Sequence, residues 1–197
     1  MSLGRWILPP LAALSAGCAS VPTHYYTLMR ESSPQSITST GGVRLQVEPV
    51  RIPAQVDRPE IVTRSPRGGI ALAENEQWIA PLADELQNAV SVELLQKLAF
   101  SSHSELTESA TVSLQMQVER FESSPSRYAL IEASWSARLK ARGTERVVCG
   151  RSEVSEPVGA GYAELVRGHQ RAVARLADAI AVALRQQSGV SLALTAP

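Results

Sequence analysis

Between Val112 and Ser155 the chain alternates apolar and polar side chains in successive runs, and this period-two pattern constrains its fold more than any other feature. Val112, Leu114, Met116 and Val118 alternate with Ser113, Gln115, Gln117 and Glu119. After a break at Ser123-Ser124-Pro125-Ser126, Ala129, Ile131, Ala133, Trp135, Ala137 and Leu139 alternate with mostly polar neighbours. Gly143-Thr144 turns the chain, and Arg146–Ser155 reads as a third strand. Successive side chains of a strand point to opposite faces, so each run carries one apolar and one polar face. The three runs predict an antiparallel meander with one solvated face.

Two amphipathic segments can cover the other face. Leu82, Leu86, Ala89, Val90, Leu94 and Leu98 fall at spacings of three and four, one side of a helix. Asp84 and Glu85 near its start and Lys97 near its end suit the helix dipole. A second helix is expected over Tyr162–Gln187. Its stripe is Leu165, Ala172, Leu176, Ala179, Ile180, Ala183 and Leu184, widened by Val166 and Val173, with Gly189 as the C-cap.

The first third of the chain reads as short strands. Tyr25-Tyr26-Thr27-Leu28 is one. Val43, Leu45 and Val47 alternate with Arg44, Gln46 and Glu48, and Pro49 and Pro53 limit that strand or place it at an edge. Glu60–Ser65, a turn at Pro66-Arg67-Gly68-Gly69 and a return over Ile70–Ala73 form a hairpin, and Asn75–Pro81 leads into the first helix. The order strands, helix, strands, helix predicts a single α+β domain: a mainly antiparallel sheet with two α-helices packed on one face.

The N-terminus carries a different kind of signal. Met1–Arg5 is a short cationic segment, Trp6–Leu14 is apolar, and Ser15-Ala16-Gly17 are small residues placed directly before Cys18. This is the layout of a secretory signal, too short to span a bilayer. The cysteine after the small residues marks it as a bacterial lipoprotein leader, although Ser15 stands where Leu is usual. Residues 1–17 are therefore read as a signal peptide and Cys18 as the lipidated N-terminus, the thiol receiving the diacylglyceryl group. The competing reading is an ordinary leader cut near Ala16 or Ala19. Ala19 is permissive for transfer to the inner leaflet of the outer membrane. Residues 18–24 form a tether, 25–189 the domain, and 190–197 an uncharged tail read as unstructured.

Removing the leader leaves 180 residues with 18 Lys+Arg against 19 Asp+Glu. A near-neutral chain has no general attraction to nucleic acid. Cys18 and Cys149 are the two cysteines. With Cys18 acylated, Cys149 is read as a buried small apolar residue, the alternative being a reactive or intermolecular thiol. His24, His103 and His169 are scattered, with no metal-ligand spacing, so no metal site is expected. His169 falls near the apolar stripe of its helix and reads as a partly buried structural histidine. No Gly-x-Ser-x-Gly, P-loop or dinucleotide fingerprint occurs, so neither a catalytic residue nor a cofactor site is assigned. Arg58, Arg64 and Arg67 cluster around the hairpin, either as a solvated face or as a contact for a partner or lipid head groups. Trp78 reads as a core plug or as an interface anchor. These four residues are the candidate partner-binding positions.

The residues also resemble a family. Tyr25-Tyr26-Thr27-Leu28 soon after the cysteine, Arg58-Pro59-Glu60-Ile61-Val62-Thr63-Arg64, Trp78-Ile79-Ala80-Pro81-Leu82 and the Ala/Leu-rich helix Tyr162–Leu184 are similar, in order and spacing, to the ABC-type transport auxiliary lipoprotein family. The resemblance implies a non-enzymatic, outer-membrane-anchored lipoprotein facing the periplasm. It implies service to an envelope-spanning transporter of phospholipids or other hydrophobic molecules. It implies as partners an MCE-domain membrane protein with the associated ABC permease and ATPase, and as assembly a homo-oligomeric ring. A regulatory or assembly lipoprotein for a cell-wall synthase or an outer-membrane assembly machine is the competing reading, since fold alone does not separate them.

Overall fold

The computed structural model describes residues 21–30, 43–65, 67–101, 110–141 and 143–189. Cys18, residues 31–42, His103 and residues 190–197 lie outside them. The described elements are β1 (His24–Tyr26), β2 (Val43–Val47), β3 (Glu60–Arg64), β4 (Ile70–Trp78), α1 (Leu82–Ser101), β5 (Ala110–Ser124), β6 (Tyr128–Ala141), β7 (Thr144–Pro157) and α2 (Tyr162–Gly189). They form the expected α+β domain around one mixed, open, seven-stranded sheet ordered β1-β4-β3-β5-β6-β7, with β2 beside β5.

The meander is present as β5, β6 and β7, paired antiparallel along almost their full lengths. Gly143, at φ 74°, supplies the left-handed turn residue between β6 and β7. β5 ends at Ser124, inside the expected break, and its pairing with β6 shifts register between Val118 and Arg120. That extra residue inverts the alternation. Val112 to Val118 face the core on even numbers, and Phe121 and Ser123 face it on odd ones, while Arg120 and Glu122 turn outward.

The parallel pairs were not foreseen. β2 runs parallel to the first third of β5, and the chain stays beside β5 as far as an Arg51–Gln117 bridge. It then leaves through Pro53 and returns as β3, whose Thr63 pairs with Ser123 on the same edge of β5. β1 is parallel to the end of β4. β4 extends to Trp78 where a lead-in to the helix was expected. Its second half, Glu74 to Gln77, lacks apolar alternation because its polar side chains are served by the edge strand: Glu76 accepts hydrogen bonds from His24 and Tyr26.

Both helices share one core with the inner face of the sheet, α1 beside β2 and α2 across β6 and β7. Every stripe residue expected of α1 is buried. In α2 Ala183 is half-buried, and Ala179 is exposed. At about 100° per residue it sits just off the buried arc, which extends instead through Ala174, Ala177 and Ala181. The helix comes close to the sheet at Gly168, where a Cβ would lie 2.2 Å from Val158 Cγ1 and 3.0 Å from Ala129 Cβ. Gly150 likewise leaves room for the Trp135 indole, 2.4 Å from where its Cβ would be.

Candidate functional site

The strand that follows the tether is fixed from three sides. His24 and Tyr26 bond to Glu76 of β4, with distances of 3.0 and 2.5 Å. Burial and the Glu76 carboxylate push the Tyr26 hydroxyl up to about 12. Burial opposes ionisation of Glu76, but the hydrogen bonds from Tyr26 and His24 outweigh it and hold the carboxyl below its ordinary range. Next along the chain, the Glu85 carboxylate in the first turn of α1 accepts from Thr27 Oγ1 and the Leu28 amide, both at 2.7 Å. Gln170 Nε2 of α2 donates to the carbonyls of Thr27 and Met29. Leu28 itself is buried in the core. The segment His24–Met29 is therefore joined to both helices and the sheet.

The candidate arginines do not form one cluster. β3 and β4 are antiparallel, with Glu60 opposite Gln77 and Arg64 opposite Ile70, so Arg58 lies at one end of the hairpin and Arg64 and Arg67 at the other. Arg58 pairs with Glu60 at 3.5 Å, and Arg64 with Glu122 at 3.3 Å. Trp78 is 4 % exposed, with Phe121 and His169 edge-on to its ring. Its core reading holds. A surface-anchor role does not fit, because β4 turns its even-numbered end inward. Cys149 is corrected the other way. It is exposed, since β7 alternates Val148 into the core and Cys149 onto the open face. Its Sγ–H reaches Ser136 Oγ at 3.5 Å.

The open face carries what sequence reasoning missed. Arg64, Glu122, Arg120, Glu132 and Arg151 form a continuous ion-pair chain across β3, β5, β6 and β7. Tyr128 donates to Glu122, and Glu153 adds to Arg120. At its centre Glu132 is nearly buried. The Arg151 hydrogen bonds hold its carboxyl below the ordinary range against the opposing effect of burial, with Arg120 assisting. The residues stand many positions apart, so only the register, with its bulge, brings them together. Glu156, buried at the end of β7, is held by Arg171 and Arg175 of α2.

His169 is wholly buried, beyond the partial burial expected. Its Nε2 lies 2.8 Å from Ser123 Oγ, and its ring stacks on Phe121 at 4.1 Å between centroids. Burial lowers its pKa to about 3, so the imidazole is neutral. A neutral histidine beside a serine resembles part of a hydrolytic site, but Ser123 and His169 are shut off from solvent and His169 Nδ1 has no partner to orient it. The pair joins α2 to β5. Among the described residues no group of three His, Cys, Asp or Glu side chains is placed to hold a metal ion. No described helix is long and apolar enough to cross a membrane. Shallow clefts of about 330 and 400 Å³ flank Arg51 and Gln117 beside β2, the first lined mainly by polar side chains and the second by polar and apolar ones in equal number.

Residues 26–181, from the end of β1 well into α2, match the family described as ABC-type transport auxiliary lipoprotein component. The intermembrane transport lipoprotein PqiC of Escherichia coli (strain K12) is 30 % identical over 97 residues, as is that of Shigella flexneri. The match takes in 48 % of this chain and 52 % of each relative, so it spans about half the length of these proteins. A crystal structure of an uncharacterized protein superposes with a TM-score of 0.55 at 20 % identity, covering 82 % of this chain and 97 % of the other. A crystal structure of a Xanthomonas campestris protein gives 0.52 at 18 % identity, with 86 % and 98 % covered. These two likenesses concern the fold.

Proposed function

The chain belongs to the ABC-type transport auxiliary lipoprotein family, and from that membership we propose that it is the lipid-anchored accessory subunit of an envelope-spanning lipid transporter. The family is one of transport components, not of enzymes. In this reading Cys18 carries the acyl chains, the anchor lies in the inner leaflet of the outer membrane, and the domain faces the periplasm. It holds an MCE-domain protein there, while a separate permease and ATPase supply energy from the inner membrane. Several copies assemble as a ring around the end of the MCE tunnel.

The observation that carries the proposal is the extent of the family match, which runs from the last residue of β1 through β2 to β7 and most of α2. The partial identity to an intermembrane transport lipoprotein supports it. So does the N-terminal clamp: a domain whose task is to hold position needs its tether joined rigidly to its core. One acyl chain binds a membrane only marginally, whereas several together anchor a lipoprotein stably. Solubilising membranes in mild detergent and purifying the chain should recover an MCE-domain protein with it. Recovery of the chain as a free monomer from cross-linked cells would remove the proposal.

A further inference from the structure

Resting on the anchoring of Cys18, we propose that the corner formed by Val21, Tyr25 and Ile79 lies on the bilayer surface, so that both helices run away from the membrane. These are three of the most exposed large apolar side chains described, at 66 %, 59 % and 60 %. They share one end of the fold. Tyr25 is opposite Gln77, and Ile79 donates its amide to the Tyr26 carbonyl at 2.8 Å, continuing the β1–β4 ladder by one position. With period two, Ile79 falls on the face of Gln77 and Tyr25, as a diagonal neighbour about 7–8 Å away. Val21 leads into the same strand.

The occupant follows from the length of chain outside the described residues. Val21 is three positions beyond Cys18, at most about 10 Å when extended. An acylated Cys18 therefore holds Val21 within about 10 Å of the membrane surface and Tyr25, seven positions on, within about 24 Å of it, so this end of the fold is the one that can reach the bilayer. A Tyr ring with aliphatic neighbours is the composition that settles at the head-group level. The contact is apolar rather than electrostatic. Arg58, at the same end because the Pro59 carbonyl accepts from Trp78, is paired with Glu60, and His24 is bonded to Glu76.

The helices give the direction. Glu85 of α1 and Gln170 of α2 both hold Thr27, and further along Lys97 meets Asp178 at 2.7 Å. The two helices thus run side by side from this corner. α2 carries on for about 29 Å beyond Gln170 at 1.5 Å per residue, placing its C-terminal end on the far side of the domain.

The test uses the full lipidated chain, purified from membranes and reconstituted in phosphatidylethanolamine–phosphatidylglycerol vesicles whose acyl chains are brominated. Intact-mass analysis first reports whether Cys18 is acylated. Ile79→Trp and Tyr25→Trp place a fluorophore at the corner, Val182→Trp places one on exposed α2, and the native Trp78 and Trp135 are buried. The expected result is several-fold quenching of the two corner fluorophores by brominated lipid, equal at low and high salt, with Val182→Trp and the parent unchanged. An acylated chain in which Ile79→Trp and Tyr25→Trp are quenched no more than Val182→Trp overturns the contact and leaves the corner to water or a protein partner. A chain without acyl mass overturns the anchoring and this inference together.

Discussion

His169 couples the stability of the fold to pH. In the unfolded chain its imidazole takes up a proton below about 6.5, whereas in the core it does not until about 3. The unfolded state therefore binds more protons across that window. Stability is full above about 6.5 and falls as the pH drops, by at most about 1.4 kcal/mol per pH unit from this one group. Denaturant titrations between pH about 5 and 6.5, above the range of the carboxylates, should show that slope in the parent and a flatter one in His169→Gln. Gly168 carries a packing constraint of a different origin. Alanine there gains up to about 1 kcal/mol of helix propensity but meets Val158 and Ala129, an overpacking cost of about 1–3 kcal/mol. Gly168→Ala should lower the unfolding free energy by about 1–2 kcal/mol in the same titrations. At this scale the sequence was legible where a residue lies on a long apolar stripe, as His169 does on the second helix. It was less so where a strand's parity decides. Cys149 and Trp78 could each be placed inside or outside until the register of β7 and β4 was known.

Among the elements, α1 and the meander β5–β7 were readable because each repeats its period long enough to fix a face. β4 was readable only in its first half. The rest of that strand is held by polar bonds to β1, which leave no apolar period in the sequence. The bulge in β5 is silent for the same reason, since one added residue changes the parity without changing the composition. The clamp on the segment after β1 was equally hidden: Glu85 was read as a helix-dipole residue, yet it is the acceptor for a buried amide. Its removal tests the clamp. Glu85→Ala leaves the Leu28 amide unpaired at a cost of about 1–3 kcal/mol. Hydrogen exchange at Leu28 and Met29 should accelerate well beyond that of β6, and equal acceleration throughout would mean that the segment is not locally clamped.

For the whole molecule, the α+β architecture and its helical cover followed from the order of periodic segments, and the family followed from the order of four short motifs. The ion-pair chain across the open face did not, because it depends on pairings between distant residues, Arg64 with Glu122 being 58 positions apart. The described parts form one sheet, one core and a rigidly attached N-terminus, an arrangement suited to holding a position. The central claim is that the anchor and the partner act together: the lipidated chain holds an MCE-domain protein at the membrane. In-cell cross-linking of the parent and of Cys18→Ala, followed by capture of the chain, tests this most directly. The parent should be recovered joined to an MCE-domain protein, and Cys18→Ala should be released to the soluble periplasm with that product lost. A parent recovered alone, or a Cys18→Ala chain that remains in the membrane and captures the partner equally well, would contradict it.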